Sequence, residues 1–358
     1  MNLLQGKRGD RMTTQAARTE QPLLSVQDLK IRIETDNGVM QAVDGVDFNI
    51  YKGKTLGLVG ESGCGKSLTS RSIISINPKE CETTGSAVYH SESEKALHNL
   101  DLLSLPPTGK RIRSIRGRKI AMIFQEPMTA FSPMYTIGNQ IMEAILIHRT
   151  KDKKKAKKIA LEMLAKVGIS DQEKRFDQYP HEFSGGMRQR AMISMALSCN
   201  PELLIADEPT TALDVTIQAQ VLELMRELQK ELGMAILLVT HDLGIIAKMC
   251  DEVAVMYLGK IVEQAPVKEI FYNPKHPYTK GLLKSMPRLG GNKSKRLDSI
   301  EGAVPMPIGL PPMCGFYDRC KDRIEGVCNT KAVPKTHISD QHSVRCFLYE
   351  DQSEGESQ

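Results

Sequence analysis

The sequence predicts an α/β fold in which a parallel sheet is flanked by helices, and three observations predict it. Apolar runs of strand type alternate with helix-type segments, a glycine-rich octet lies between one such run and a helix, and a second run ends in two acids. In chain order, a polar stretch over residues 1–22 precedes Leu23 to Ile33 and Val39 to Ile50, two strands joined by a hairpin turn at Asp36-Asn37-Gly38. That opening is a β layer. The alternating core follows as strand Leu56 to Val59, helix from Lys66, strand Ile120 to Phe124, strand Leu203 to Ala206, helix Ile217 to Leu232 and strand Ala235 to Thr240. Residues 126–190 are mainly helical and read as an inserted helical subdomain, so that 23–270 form one nucleotide-binding unit. Beyond it, Pro274, Pro277, Pro287, Pro305, Pro307, Pro311 and Pro312 punctuate a separate C-terminal module over 271–350, and 351–358 are a polar tail.

The chain has 358 residues, 41% apolar and 25% charged, the composition of an ordinary globular protein with ample core. Its first twenty residues carry no apolar signal segment, and no stretch approaches the roughly eighteen apolar residues of a membrane span. The expectation is a cytosolic chain whose membrane role, if any, is peripheral. A formal charge of +5 argues by itself for neither nucleic acid nor anionic lipid. The cluster Lys151 to Lys158 leads into Ala156, Ile159, Ala160, Met163, Leu164 and Val167 at helical spacing, stopped by Gly168, and reads as the solvated start of a helix rather than a partner patch.

The octet is Gly60-Glu61-Ser62-Gly63-Cys64-Gly65-Lys66-Ser67; it follows the apolar run Thr55 to Val59 and precedes a helix opening at Leu68. Strand, glycine loop and helix form the setting in which this motif counts as a phosphate-binding loop. Its glycines let backbone N–H groups turn inward around an anion at the positive end of the helix dipole. Lys66 would reach the β and γ phosphates, and the Ser67 hydroxyl would ligate Mg2+. Downstream, the run Leu203 to Ala206 ends in Asp207 and Glu208, at the carboxyl edge of the sheet where such folds bind ligands. Asp207 suits hydrated Mg2+, and Glu208 suits acceptance of a proton from the water attacking the γ phosphate. His241, after the next strand, would emerge at the same edge to contact that phosphate or hold the water; a lone histidine would be structural. Gln125 ends a third strand as a neutral ligand to Mg2+ or water, or as a polar turn residue. The ordered set implies an ATPase.

With Ser184-Gly185-Gly186-Met187 added, the chain resembles an ATP-binding cassette (ABC) subunit over about Leu23 to Val267. The resemblance implies a P-loop NTPase with a RecA-like parallel-sheet core, an antiparallel β subdomain and a helical signature subdomain. It also implies that Ser184, Gly185 and Gly186 bind ATP held by an opposite subunit, and that Asp214, after Ala212-Leu213, links the two sites. A narrower likeness covers nearly the whole chain: Phe183 to Arg190, Phe124-Gln125-Glu126-Pro127-Met128 and His276-Pro277-Tyr278-Thr279-Lys280 are similar to oligopeptide and dipeptide importer ATPases of bacteria. That subfamily implies a second, paralogous ATPase subunit, two transmembrane permease subunits contacting the helical insert, and an extracytoplasmic solute-binding protein. It implies a peripheral place on the cytoplasmic face of the inner membrane and no nucleic-acid partner. Related machinery carrying nickel, oligosaccharide or glutathione looks similar. A soluble cassette in translation or DNA repair is the rival, against which stand one phosphate loop and no sustained heptads.

Cys314, Cys320, Cys328 and Cys346 are spaced C-x5-C-x7-C-x17-C in a proline-rich setting too poor in regular structure to bury much core. Disulfides are disfavoured in a cytosolic chain, so a metal centre is the better staple, with Zn2+ or an iron–sulfur cluster both open to four thiolates. The subfamily resemblance favours a 4Fe-4S cluster over Zn2+.

Two departures stand out. Phe183 and Met187 replace the Leu and Gln that usually bound the cassette signature, which removes a polar side chain near the partner's nucleotide. Where the family places an aromatic on adenine, alignment offers Ile33, which gives dispersion without ring stacking, worth about 1 kcal/mol less. Discrimination between ATP and GTP is therefore expected to be weak, and turnover confined strictly to ATP would contradict it.

Overall fold

The computed structural model describes residues 21–91, 97–126, 130–211, 213–286 and 300–353. Residues 1–20 of the expected tail over 1–22, Pro127-Met128, Ala212, Pro287 and residues 354–358 of the expected tail over 351–358 lie outside the described residues. The strands are β1 (Leu24–Thr35), β2 (Gly38–Ile50), β3 (Thr55–Val59), β4 (Cys81–Tyr89), β5 (Leu100–Asp101), β6 (Ile120–Ile123), β7 (Leu203–Asp207), β8 (Ala235–Thr240), β9 (Glu252–Tyr257), β10 (Lys260–Pro266), β11 (Thr336–Ser339) and β12 (His342–Val344). The helices are α1 (Lys66–Ser72), α2 (Lys110–Ile115), α3 (Ile137–His148), α4 (Lys153–Lys166), α5 (Gln172–Phe176), α6 (Gly185–Leu197), α7 (Val215–Leu232), α8 (Leu243–Met249), α9 (Val267–Tyr272) and α10 (Pro277–Lys284).

Among the described residues the strands form two sheets. An antiparallel sheet, in the order β2-β1-β4-β5, lies over a larger one ordered β11-β12-β10-β9-β3-β8-β7-β6, in which β9-β3-β8-β7-β6 run parallel. Every residue of β3, β7 and β8 is buried, which is why they read as continuous apolar runs. Period two divides them between two cores. Leu203, Ile205, Leu237 and Val239 pack under the antiparallel sheet against Val26, Ile31, Val46 and Phe48. Leu204, Ala206, Ile236 and Leu238 face the opposite way, onto Val221, Met225 and Leu228 of α7 and onto the helical insert.

The insert is α3 to α6, joined to that second core through Ile141, Ile145, Ala160, Leu164 and Ile193. Its lysine cluster begins α4: the Asp152 carboxylate accepts the Lys154 N–H at 2.8 Å, and the lysines that follow stand largely in solvent. Strands β4, β5, β9 and β10 were not expected from the sequence. Nor were β11 and β12; β12 pairs with β10 through Glu263↔Val344 and Gln264↔Ser343, so the proline-rich C-terminal segment continues the main sheet.

The junction turns on a buried carboxylate. Glu263 accepts the N–H groups of Lys275 (2.7 Å) and His276 (2.9 Å), and His342 Nε2 lies 2.8 Å away. Burial raises the Glu263 carboxyl, but His342 and the other donors outweigh it and hold the group below the usual glutamate range. Beside it, His276 caps α10 by accepting the Tyr278 N–H at Nδ1 (3.0 Å). Burial lowers its pKa from 6.5 to about 4, with the Glu263 charge opposing and Lys280 reinforcing. Because the folded value lies below the free one, the unfolded chain binds the extra proton in this window. The contribution of His276 is thus full above about pH 6.5 and is lost as pH falls toward about 4. Between about pH 7.5 and about pH 5, unfolding should show a loss of about 2 kcal/mol from this group, which His276→Asn, retaining a capping oxygen, should lack. Identical pH slopes for the two proteins would contradict this.

Candidate active site

The parallel strands end in line. Val59 pairs with Thr240, Val239 with Asp207, and Ala206 with Ile123, so Gly60, His241, Glu208 and Gln125 all leave the sheet within two residues of one edge. The phosphate loop turns there with Gly63 and Gly65 in the left-handed region, at φ of 80° and 97°. A Cβ on Gly60 would lie 2.1 Å from the Met256 carbonyl oxygen, and one on Gly65 would lie 2.4 Å from that of Ala42. Backbone cannot yield as a side-chain tip can, so only glycine fits. α1 begins at Lys66, with Leu68 half-buried in its first turn; Ser62 stands exposed in the loop.

Lys66 is buried at 5% exposure, and its Nζ donates to the carbonyls of Gly60 (2.8 Å) and Glu61 (2.9 Å), with Cys64 Sγ at 3.7 Å. Burial pushes the Cys64 thiol up despite Lys66, which keeps it protonated. The Ser67 hydroxyl donates to Asp207 Oδ1 at 2.8 Å, and Arg71 Nη2 lies 3.4 Å from Oδ2. Asp207 is fully buried, and burial raises its carboxyl against those two partners. A buried hard-oxygen pair of this kind fits Mg2+, whose charge would relieve that burial.

Glu208 leaves β7 in the left-handed region, at φ 48°, with its N–H on the Val239 carbonyl (2.8 Å). Its carboxylate gathers three side chains: Gln125 Nε2 donates to Oε2 (3.0 Å), Thr211 Oγ1 donates to the same oxygen (2.9 Å), and His241 Nδ1 lies 3.1 Å from Oε1. Burial raises the Glu208 carboxyl, yet His241 and Thr211 outweigh it, and the group titrates below the usual glutamate value. It is a carboxylate at neutral pH. Thr211 and Arg71 went unnoticed in the sequence; a hydroxyl three residues past the acid pair was the only local signal for the first.

Ser184 and Asp214 lie elsewhere. Ser184 caps α6, accepting the Met187 N–H at 3.3 Å, and Asp214 caps α7, accepting from Thr216 (3.1 Å) and Ile217 (3.0 Å). The two helix starts approach where a Cβ on Gly186 would meet Ile217 at 2.9 Å, beside a cavity of about 210 Å3 that Ser184, Gly186 and Met187 help to line. Gly185 has open space around its Cα. Among the described residues no hydrogen bond joins these two caps to the phosphate loop. Ile33 is half-buried on β1, opposite Met40 and Cys81.

Cys314, Cys320, Cys328 and Cys346 line one cavity with His276, Phe316 and Phe347. The Ile324 N–H donates to the Cys328 sulfur at 3.3 Å. Burial first, and the neighbouring sulfurs with it, push the Cys314 thiol up to about 11 and that of Cys346 up to about 12. Among the described residues no three His, Cys, Asp or Glu side chains converge as one metal ion requires.

A phosphate loop facing a buried acid and a polarised second carboxylate defines the class, a P-loop nucleoside triphosphatase. Residues 43–211 match the family model described as ABC transporter, and residues 262–328 match the C-terminal region of oligopeptide/dipeptide transporters. The chain is 49% identical over 332 residues to the dipeptide transport ATP-binding protein DppD of Bacillus subtilis, covering 93% of this chain and 96% of that one. It is 48% identical over 335 residues to the oligopeptide transport ATP-binding protein AppD of the same organism, covering 94% and 99%. Among solved structures, a dimeric ATP-binding cassette bound to ADP and Pi has a TM-score of 0.59 at 23% identity, covering 68% of this chain and 98% of its own. The CbiO1 subunit of an ABC transporter complex from Clostridium perfringens has a TM-score of 0.57 at 26% identity, covering 71% and 92%. This chain belongs to the ABC transporter family.

Proposed function

We propose that this chain is the ATP-hydrolysing subunit of a bacterial peptide importer, coupling Mg-ATP hydrolysis to uptake of dipeptides or oligopeptides through separate membrane subunits. The observation that carries the reading is a complete hydrolytic edge in a chain whose residues 262–328 match the oligopeptide/dipeptide transporter C-terminal region. Gly60 to Leu68 would cradle the phosphates of ATP, with Lys66 moving from its carbonyl partners to their charge. Ser67, Asp207 and Gln125 would hold Mg2+, which when bound neutralises charge on the phosphate oxygens. Glu208 is the general base: ionised and aligned by Thr211, Gln125 and His241, it takes a proton from the attacking water. His241, its side chain 62% exposed, is free to turn to the γ phosphate.

Ser184 and Asp214 cap their own helices, with no hydrogen bond to the phosphate loop among the described residues, which leaves Ser184, Gly185, Gly186 and Asp214 to serve ATP held by a second, paralogous subunit. On the insert, a groove of about 530 Å3 is lined by Asn139, Met142, Leu146, Ile147 and Lys151, with Ile147 59% exposed. It is suited to short helices of two transmembrane permease subunits. No described helix is long and apolar enough to cross a membrane, in keeping with peripheral attachment at the cytoplasmic face of the inner membrane. Peptide would reach the permease from an extracytoplasmic solute-binding protein.

The four late cysteines would hold a 4Fe-4S cluster. Four sulfurs around one cavity, one of them met by the Ile324 N–H, suit thiolates at a cationic centre. The cluster would staple the C-terminal segment.

Two measurements test the reading. Glu208→Gln should lower ATP turnover by about 10²- to 10⁴-fold while retaining ATP in a closed dimer, and unchanged turnover would remove Glu208 as base. Anaerobic purification from native membranes in mild detergent should recover two multi-span subunits, a second ATPase and iron with visible absorption. Recovery with ribosomes or DNA would overturn the transport reading, and recovery with zinc the cluster.

A further inference from the structure

Glu61, the second residue of the phosphate loop, is gripped twice by residues more than two hundred positions further along the chain. Its N–H donates to the hydroxyl of Tyr278 on α10 at 2.9 Å. Its carboxylate takes a bidentate pair from Arg319, Nη1 to Oε2 at 2.7 Å and Nη2 to Oε1 at 3.0 Å. Arg319 has no slack. Its side chain is 6% exposed, and its remaining hydrogen bonds run to the carbonyls of Glu301 (3.0 Å) and Ile300 (3.5 Å) and to the Tyr257 hydroxyl (3.4 Å). Tyr257, Tyr278 and Phe316 pack ring against ring around it, with centroids 4.7 to 5.4 Å apart. Arg319 ends a short 3-10 turn, Tyr317–Arg319, immediately before Cys320, so the grip is rooted in the C-terminal segment.

The same residue reaches the reactive lysine, because the Glu61 carbonyl accepts from Lys66 Nζ at 2.9 Å. A continuous line therefore runs from the C-terminal segment through Arg319 and Tyr278 to Glu61, and from Glu61 to Lys66. We propose that Arg319 and Tyr278 are positioning residues for ATP, fixing the first turn of the phosphate loop so that Lys66 and the loop amides meet the phosphates in a preset geometry. The proposal rests on the ATPase reading of that loop. A pair this buried leaves a stranded charge when one partner is removed, so fold and positioning must be separated by the readout. Positioning predicts an effect on ATP capture more than on the chemical step, and one path shared by both partners.

The test uses the chain in its complex as purified from native membranes. Wild-type affinity for Mg-ATP is measured first, and its absence would overturn the ATPase reading and this proposal with it. Arg319→Met and Glu61→Gln should each raise the KM for ATP about tenfold with kcat changed by less than about threefold, and Arg319→Lys should fall between. The double variant should be no worse than either single change, since both break one link. Glu61→Gln keeps shape on a side chain that is 29% exposed, so it carries the test if Arg319→Met does not fold. A KM for ATP within about twofold of wild type in folded Glu61→Gln, or additive effects in the double variant, would overturn the proposal.

Discussion

The site depends on the register of four neighbouring parallel strands. Val59 beside Thr240, Val239 beside Asp207, and Ala206 beside Ile123 bring four chain segments to one edge. A slip of one residue on β7 would exchange the faces of Leu204 and Ile205 and move Asp207 away from Ser67. The two cores forbid that slip, because β7 and β8 are buried on both faces and each face meets a differently shaped partner: a β layer on one side, α7 and the insert on the other. Packing thus sets the 2.8 Å contact between Ser67 and Asp207, residues 140 positions apart.

The central elements were legible because their signals are local. Unbroken apolar runs gave the buried parallel strands, and the expected turn at Asp36-Asn37-Gly38 lies where β1 hands over to β2. The candidate site was legible for the same reason: a loop before a helix and acids after a strand carry their chemistry in a few consecutive residues. What the sequence did not give was partnership. Thr211 meets Glu208 through a turn that no motif announces, Arg71 reaches Asp207 from α1 across to another strand's end, and the grip of Arg319 on Glu61 spans 258 positions. β4, β5 and β10 went unread because strands that are partly exposed or short lack a continuous apolar signal, whereas β9 has such a run over Val253 to Tyr257 and was missed all the same. Ile33, placed by alignment alone, lies on β1 opposite Met40 and Cys81.

The C-terminal segment shows how composition misleads about position. Its prolines and cysteines suggested a unit apart, yet β12 pairs with β10, and Phe316 and Cys320 lie in the same core as Leu204 and Leu238. Glu263 makes this junction from the strand side, drawing in Lys275, His276 and His342, so the segment is fastened by buried polar contacts as well as by sheet pairing. Phe316, which lines the cysteine cavity, has its ring 5.9 Å from the Arg319 guanidinium that holds Glu61 of the phosphate loop.

The most direct test of the account is uptake of a labelled dipeptide by cells of the source bacterium lacking this chain and complemented with wild type or with Asp207→Asn. The account predicts that uptake falls without the chain, returns with wild type and does not return with Asp207→Asn, which keeps the shape at the strand end but loses the charge. Undiminished uptake without the chain, or full recovery with Asp207→Asn, would contradict it.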